Sequence, residues 1–250
     1  MLGYGQFCPV ALASEVFAER WTPLIIRELL NGRHRFNELQ HGVGGISQSL
    51  LVQRLRGLEQ VGVVERAPNP GGRGWEYHLT PSGAELQGVL ERLAIWAQRW
   101  IELRNDCLDA AALMQALHMN LKRDVLPLGP TVVRFEFTDP GQRTYWMLLE
   151  RPDAELCFHD PGREVDMVVT SDIEALTRVF LGRMTMTKAM GDERLLIDGP
   201  TALRRGFSRW LGLNPFAAFA RQLPSAGAPI DRQQDPSSSN TDRTVVPATA

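Results

Sequence analysis

The chain has 250 residues, 44% of them apolar and 22% charged, which is typical of one or two packed globular domains. It has no apolar run near the roughly 20 residues that a membrane span needs and no N-terminal export segment, so we expect no membrane partner. The three cysteines, Cys8, Cys107 and Cys157, form no CxxC or Cys/His cluster, which indicates a reduced, cytoplasmic setting. The net charge of −2 does not exclude nucleic acid, because residues 20–73 hold eight Arg against four Glu.

The first elements are predicted to be helices. Helical spacing of apolar residues indicates a helix that begins at Ser14, breaks or restarts at Pro23 and ends at Asn31-Gly32. A second short helix begins near Phe36. The glycines in 42–45 then form a turn into a third helix, so the order is helix, turn, helix.

The third helix, residues 47–59, has two faces. Ser47 is a suitable N-cap. One face is apolar and the other carries hydrogen-bonding side chains: Leu51, Leu55 and Leu58 against Ser49, Gln53 and Arg56. Two interpretations stay open on this stretch alone, a DNA recognition helix and a half-buried surface helix with a polar outer face.

Two short strands follow and complete a winged helix. Val63–Arg66 and Trp75–Leu79 flank a loop of Pro, Asn and Gly residues. Arg66 and Arg73 lie in or beside this wing, where they could reach phosphate or a minor groove.

A long helix capped by Thr80-Pro81-Ser82-Gly83 repeats apolar residues every three or four positions up to Ile101. Its strip, with Trp96 and Trp100, exceeds what a small wing domain can bury. We interpret it as a dimerisation helix that packs with the N-terminal segment of a partner. The alternative is packing on the second half of its own chain.

The sequence up to about Trp100 resembles the HxlR family of bacterial winged-helix transcriptional regulators. The matching pieces occur in order: Cys8-Pro9-Val10, Trp21-Thr22, Ile26 to Leu29, Gly32, Arg35 to Leu39, Gly45-Ile46-Ser47, Gln53 to Arg56, Leu58-Glu59 and Tyr77 to Thr80. The resemblance implies a cytoplasmic homodimer that binds double-stranded operator DNA through the Ser47–Leu58 helix and the wing, with Asn37 near the DNA backbone. The expected DNA-binding residues are Arg35, Asn37, Ser47, Gln48, Ser49, Gln53, Arg56, Arg66 and Arg73.

The same resemblance draws attention to Cys8, because some family members sense oxidants, aldehydes or quinones through a Cys in this Cys-Pro position. A reactive thiol needs access and a lowered pKa. The sequence neighbours Phe7, Pro9 and Val10 offer no cation. A redox sensor and a buried structural cysteine therefore both remain open.

The second half is predicted to be a separate α+β domain. After the break at Pro127–Pro130, short alternating strands on tight turns favour an antiparallel meander, and helices begin at Asp172, near Met184 and at Pro200. Arg194–Asp198 is a further strand. The predicted domains are 1–104 and 105–223, followed by a disordered tail over 224–250, which is rich in Ser, Pro, Gln, Asp and Thr.

This half resembles the sterol-carrier-protein-2 (SCP2) fold. The matching pieces are Thr170-Ser171-Asp172, Leu176, Phe180-Leu181-Gly182 and Met190 to Gly199. The resemblance implies an apolar tunnel, which holds fatty acyl chains or sterols in relatives. The candidate ligand-binding residues are Phe135, Phe137, Met147, Leu176, Phe180, Met184, Met186 and Met190, and the alternative is that they only fill a core.

The sequence has no motif for catalysis: no GxSxG, HExxH, P-loop or GxGxxG follows a strand, and the five His have no ligand spacing. We therefore expect neither an enzyme nor a bound metal or cofactor. The preferred interpretation is a dimeric DNA-binding regulator that an apolar effector controls through the second domain. The alternative is a lipid or acyl-chain carrier whose winged helix serves mainly dimerisation.

Overall fold

The computed structural model describes residues 3–104, 106, 108–141 and 143–220. The predicted disordered tail, 224–250, and Cys107 lie outside this part of the chain. The N-terminal domain is a winged helix, as predicted. Its elements are α1 (Pro9–Phe17), α2 (Thr22–Leu30), α3 (Phe36–Val43), α4 (Gln48–Gln60), β1 (Val64–Pro68), β2 (Trp75–Leu79) and α5 (Pro81–Trp100).

The helix boundaries follow local chemistry, with one correction. Pro23 occupies the first turn of α2, and Asn31 ends that helix, as predicted. The expected start of the first helix at Ser14 is wrong, because α1 already begins at Pro9. A proline at the first helical position has the φ that a helix requires and gives up only an N–H that would have no partner there.

The core of this domain lies between α2, α3 and α4. The inner faces of these helices supply its fully buried residues, Ile25, Ile26, Leu39, Leu51 and Leu55. The strands β1 and β2 form an antiparallel hairpin in which Val64 pairs with Leu79. The core therefore holds α4 from one side and leaves its other side to solvent.

The C-terminal domain is a five-stranded sheet with helices, which confirms the predicted α+β class. Its elements are α6 (Ala110–Met119), β3 (Thr131–Phe137), β4 (Thr144–Glu150), β5 (Asp153–Cys157), β6 (Met167–Ser171), α7 (Ile173–Phe180), α8 (Met186–Gly191), β7 (Leu195–Asp198) and α9 (Thr201–Trp210), with 3-10 turns at Arg123–Val125 and Ala217–Phe219.

The sheet order, β5-β4-β3-β6-β7, corrects the predicted antiparallel meander. The meander holds for β3, β4 and β5. However, β6 pairs in parallel with β3, Val133 opposite Met167, and β7 then pairs antiparallel with β6. After β5 the chain crosses to the free edge of β3 before β6 begins, and a crossover is what a parallel pair requires.

Side-chain caps and ion pairs fix the helices that follow β6. Asp172 caps α7 by accepting the backbone N–H of Ala175 at 2.8 Å. Arg194 donates to both carboxylate oxygens of Asp172, at 2.9 and 2.6 Å, and to Glu174 at 3.0 Å. These bonds hold the start of α7 beside the start of β7.

Among the described residues, side-chain hydrogen bonds join the two domains at two places. At the first, the Gln98 amide on α5 donates to the backbone oxygen of Leu181 at 3.0 Å, and Arg183 Nε donates to the Gln98 oxygen at 3.0 Å. At the second, Arg33 Nη2 lies 3.3 Å from Met119 Sδ, and the side chains of His41 and Gln115 are hydrogen-bonded at 2.9 Å. Of the helices in the described ranges, none is long and apolar enough to cross a bilayer.

Candidate DNA-binding surface

The helix α4 has one buried and one exposed face, as its sequence predicts. Leu51, Leu55 and Leu58 are buried, whereas Ser49, Gln53 and Arg56 are exposed. Ser47 caps the helix by accepting the backbone N–H of Leu50 at 3.3 Å, and its hydroxyl also lies 3.3 Å from that of Ser49. Gln48, also exposed, extends the polar surface to the start of the helix. The helix therefore presents a row of hydrogen-bonding side chains from a fixed backbone.

The two arginines of α4 differ in environment. Arg54 is held by the protein: its Nε donates to the backbone oxygen of Arg20 at 3.1 Å, and its Nη2 lies 2.6 Å from Glu19. Arg56 is exposed and forms no ion pair with any described residue. Of the two guanidinium groups, that of Arg56 is the one available to an external anion.

The start of α3 lies beside the wing. Arg35 precedes the helix and lies 3.5 Å from Glu76 on β2. The Glu38 carboxylate accepts the Arg35 backbone N–H at 3.0 Å, which lowers the pKa of Glu38. Asn37 is exposed in the first turn of α3. Arg35 and Asn37 therefore lie on a rigid, capped turn.

The wing contains a contact that the sequence did not reveal. The guanidinium of Arg66 lies over the ring of Trp75, 4.3 Å from its centroid, and 3.6 Å from Glu59 at the end of α4. A cation over an aromatic face is attracted by the ring quadrupole. Arg66 therefore braces the wing against α4, whereas Arg73 is exposed in the loop between the strands.

The candidate ligand-binding residues divide into three groups. Five are buried in the core of the C-terminal domain: Phe135, Phe137, Met147, Leu176 and Phe180. Met184 and Met186 are partly buried against that core. Met190 is 45% exposed, so its side chain lies at the domain surface rather than inside. Buried packing is what the alternative interpretation, a simple core, also requires.

The Cys8 thiol is exposed and precedes the first turn of α1. The backbone N–H groups of Ala11 and Val10 lower the pKa of this thiol. The sequence offered no cation near Cys8, but the N-terminus of a helix supplies partial positive charge instead. In contrast, burial raises the pKa of Cys157.

Residues 16–105, which contain all nine expected DNA-binding residues, match the model of HxlR-like helix-turn-helix proteins. The HTH-type transcriptional regulator YvaP of Bacillus subtilis (strain 168) is 36% identical over 40% of this chain and 95% of YvaP. The chain belongs to the HxlR-like helix-turn-helix family.

Two further HTH-type transcriptional regulators are similar to this HxlR-like chain. YodB of Bacillus subtilis (strain 168) is 37% identical over 38% of this chain and 87% of YodB. YtfH of Escherichia coli (strain K12) is 34% identical over 38% of this chain and 76% of YtfH. Residues 110–211 match the SCP-2 sterol transfer family, so the HxlR-like part is joined to a second domain of recognised type. All three relatives carry the name HTH-type transcriptional regulator.

Proposed function

We propose that this HxlR-like chain is a homodimeric regulator that binds operator DNA through α4 and the wing and responds to an apolar small molecule in its C-terminal domain. The domains are 1–104 and 105–223. The exposed face of α4 carries the proposal, with Ser49, Gln53 and Arg56, which has no ion-pair partner among the described residues. Side chains of this kind are suited to base edges in the major groove, and a helix packed on one side only can enter it.

DNA capture followed by an affinity measurement tests this part of the proposal. Genomic fragments retained by the purified protein are sequenced, and the affinity of one fragment is compared for wild type, Arg56→Ala and a control, Arg143→Ala, exposed on the β3–β4 turn. For each subunit of the dimer, Arg56→Ala should cost about 1–3 kcal/mol if Arg56 contacts a base, or lower the salt slope by about one if it contacts phosphate. If Arg56→Ala binds like Arg143→Ala, the proposal fails, and the lipid carrier with a dimerising winged helix replaces it.

Exposed apolar side chains support the homodimer. Val89, Leu93 and Trp96 lie on one face of α5 and are 48%, 45% and 52% exposed. Phe7 and Val10, in the N-terminal segment, are 96% and 73% exposed. Three large apolar side chains exposed along one helix face form a patch of the kind that marks an interaction site. A two-fold dimer would present two copies of α4 to half-sites about 34–36 Å apart.

The oligomeric state is tested by sedimentation of the full chain. Trp96→Glu places a charge on the apolar face of α5 and should yield monomers. Leu128→Glu is the matched control, because Leu128 is also exposed but lies in the loop before β3. A monomeric wild type, or equal dimerisation of both variants, would contradict the proposed interface.

The SCP2-like domain supports the apolar effector. Met184 and Met186 are partly buried against the core that contains Phe180, at the junction of core and surface, where an adaptable side chain suits an apolar ligand. A fluorescent long-chain fatty acid and a fluorescent sterol are the probes. Met186→Gln should weaken their binding, whereas Leu196→Gln, on the exposed side of β7, should not. Absence of binding by wild type would remove the effector from the proposal.

Effector binding must also change the DNA affinity, and this requires two states that the ligand distinguishes. The hydrogen bonds between Gln98 on α5 and residues 181–183 could transmit this change, because Phe180 and Met184 directly precede and follow this segment in the sequence. A flexible insertion after Arg104 should leave DNA binding intact and abolish the response to the fatty acid or sterol. An unchanged response would contradict this route.

The exposed Cys8 supports a second input, redox sensing. Its lowered pKa and access meet the two conditions for a reactive thiol. Wild type and Cys8→Ser are treated with a thiol-reactive electrophile, and the DNA affinity is measured before and after. We expect only wild type to respond. Equal responses would exclude Cys8 from the mechanism.

A further inference from the structure

The last helix, α9, carries a basic face that the winged helix does not account for. Its inner side is buried through Phe207 and Trp210. Arg204, Arg205 and Arg209 are exposed, and none forms an ion pair with another described residue. The segment 199–220 contains these three Arg and no Lys, Asp or Glu. The positive charge on this face is therefore not neutralised from within the segment.

The three guanidinium groups lie on one side of the helix. At about 100° per residue, Arg204, Arg205 and Arg209 fall within an arc of roughly 140°. Ser208, also exposed, lies inside this arc. Guanidinium groups bind phosphate oxygens in a bidentate manner, and a hydroxyl adds another donor. The composition of this face is that of a phosphate-binding surface.

The end of α9 is joined to the DNA-binding domain by a short path of contacts. The backbone N–H of Lys122 donates to the Trp210 oxygen at 3.0 Å, and a Cβ on Gly212 would overlap the backbone of Asn120. Met119, at the end of α6, contacts Arg33, two residues before Arg35. Met119 to Lys122 can span at most about 11 Å. The last turn of α9 is therefore connected to the loop before α3 through the end of α6.

The chemistry of α9 favours DNA over an anionic membrane. A helix that binds a membrane surface inserts its apolar face into the lipid. The apolar face of α9 is already buried, since Phe207 and Trp210 lie in the core of the C-terminal domain. The exposed face offers charge and hydroxyls without a large apolar side chain. This face is suited to the backbone phosphates of a duplex that lies along it.

We infer that the α9 face, Arg204, Arg205 and Arg209, binds backbone phosphates of duplex DNA that flanks the site read by α4. This inference rests on the proposed function. The contacts would be independent of sequence, because phosphates fix position and carry no base information. The SCP2-like domain would then lengthen the DNA footprint as well as bind the effector.

The experiment compares two duplexes made from one captured genomic fragment, one trimmed to the shortest length that α4 requires and one extended by about one helical turn on each side. The full-length α9 variant carries Arg204→Gln, Arg205→Gln and Arg209→Gln. A matched control carries Arg→Gln at three other exposed positions of the same domain, Arg143, Arg151 and Arg163. Both variants lose the same charge. Equal urea unfolding midpoints verify that both are folded.

Each phosphate contact contributes about 0.9 to the slope of log affinity against log salt. The α9 variant should therefore lose up to about 2.7 in slope per subunit, or about 5.4 for the dimer, on the extended duplex and retain the wild-type slope on the trimmed one. An α9 variant that matches the control on both duplexes overturns the inference. So does a variant that loses binding only to vesicles containing phosphatidylserine, since the face would then serve a membrane.

Failure of the proposed function gives a different pattern. In that case Arg56→Ala leaves the affinity for both duplexes unchanged. A loss with Arg56→Ala and no loss with the α9 variant would leave the regulator in place and remove only the flanking contact.

Discussion

The hydrogen-bonded contact between Gln98 and Arg183 should contribute measurably to the free energy of unfolding. Gln98 is 7% exposed, and it bonds to the Leu181 oxygen and to Arg183. Arg183 Nη2 also lies 3.3 Å from the backbone oxygen of Ala97. A neutral hydrogen bond contributes about 1 kcal/mol and a charged one about 2 kcal/mol. Gln98→Ala should therefore lower the free energy of unfolding by about 3 kcal/mol.

A double-mutant cycle separates the shared bond from the others. Arg183→Met keeps most of the side-chain volume and removes the bonds to Gln98 and Ala97. Because the bond between Arg183 and Gln98 is lost in either single variant, the double variant should be more stable than additivity predicts by about 2 kcal/mol. Hydrogen exchange at the Ile101 amide gives a local readout, since this amide donates to the Ala97 oxygen at 2.9 Å.

The control cycle uses Gln87 and Glu91, which are hydrogen-bonded at 2.8 Å on the exposed part of the same helix. Their coupling should be about 0.5 kcal/mol or less. A coupling energy between Gln98 and Arg183 as small as this would refute the reasoning, because the buried hydrogen bond would then be no stronger than one on the surface. If the fatty acid or sterol still changed the DNA affinity of Gln98→Ala, the contact between Gln98 and Arg183 would not transmit the effect of the ligand.

Three other expectations can be measured directly. Leu55→Ala, in the core beneath α4, should lower the free energy of unfolding by about 2–5 kcal/mol in urea; a smaller loss would mean that α4 is loosely packed. Alkylation of Cys8 should rise with pH around a midpoint below 9.0, the ordinary thiol pKa, because backbone N–H groups lower its pKa; a midpoint at or above 9.0 would contradict this. Burial alone would raise the pKa of Asp172, but hydrogen bonds from Arg194 and the Ala175 N–H bring it below 3.8. The stabilisation by the ionised Asp172 is therefore present above about pH 4 and is lost as the pH falls through the lowered pKa. The urea unfolding midpoint of Asp172→Asn should change less than that of wild type between neutral pH and about pH 3; an equal change in both would show that Asp172 and Arg194 do not cause the loss of stability in acid.

Much of the N-terminal surface could be predicted from sequence because its determinants are local. Leu51, Leu55 and Leu58 fix the buried side of α4 by their spacing, so the exposed side follows without a structure. Whether Arg54 faces solvent was also predictable, since it lies on the flank of the apolar stripe. Its partner Glu19 was not, because it comes from a distant part of the chain.

The features that sequence reasoning missed depend on distant residues or on helix ends. The parallel pairing of β3 and β6 depends on a crossover that the alternation of Val133 and Phe135 does not encode. The lowered pKa of Cys8 required a helix start at Pro9 rather than at Ser14. The long helix α5 packs in part on the second half of its own chain, through Gln98, which was one of the two alternatives. The side with Trp96 stays exposed, and its role in dimerisation stays a prediction.

The parallel pairing of β3 and β6 also has a kinetic consequence. The hairpins of β3, β4 and β5 close over short loops, whereas β6 must return to β3 from 34 residues further along, as the Val133–Met167 pair shows. Until β6 docks, β3 offers an open edge beside the apolar Val133, Phe135 and Phe137. Such an edge can recruit another chain. The yield of refolding should therefore fall as protein concentration rises, with the slow docking of β6 as the step that competes with aggregation.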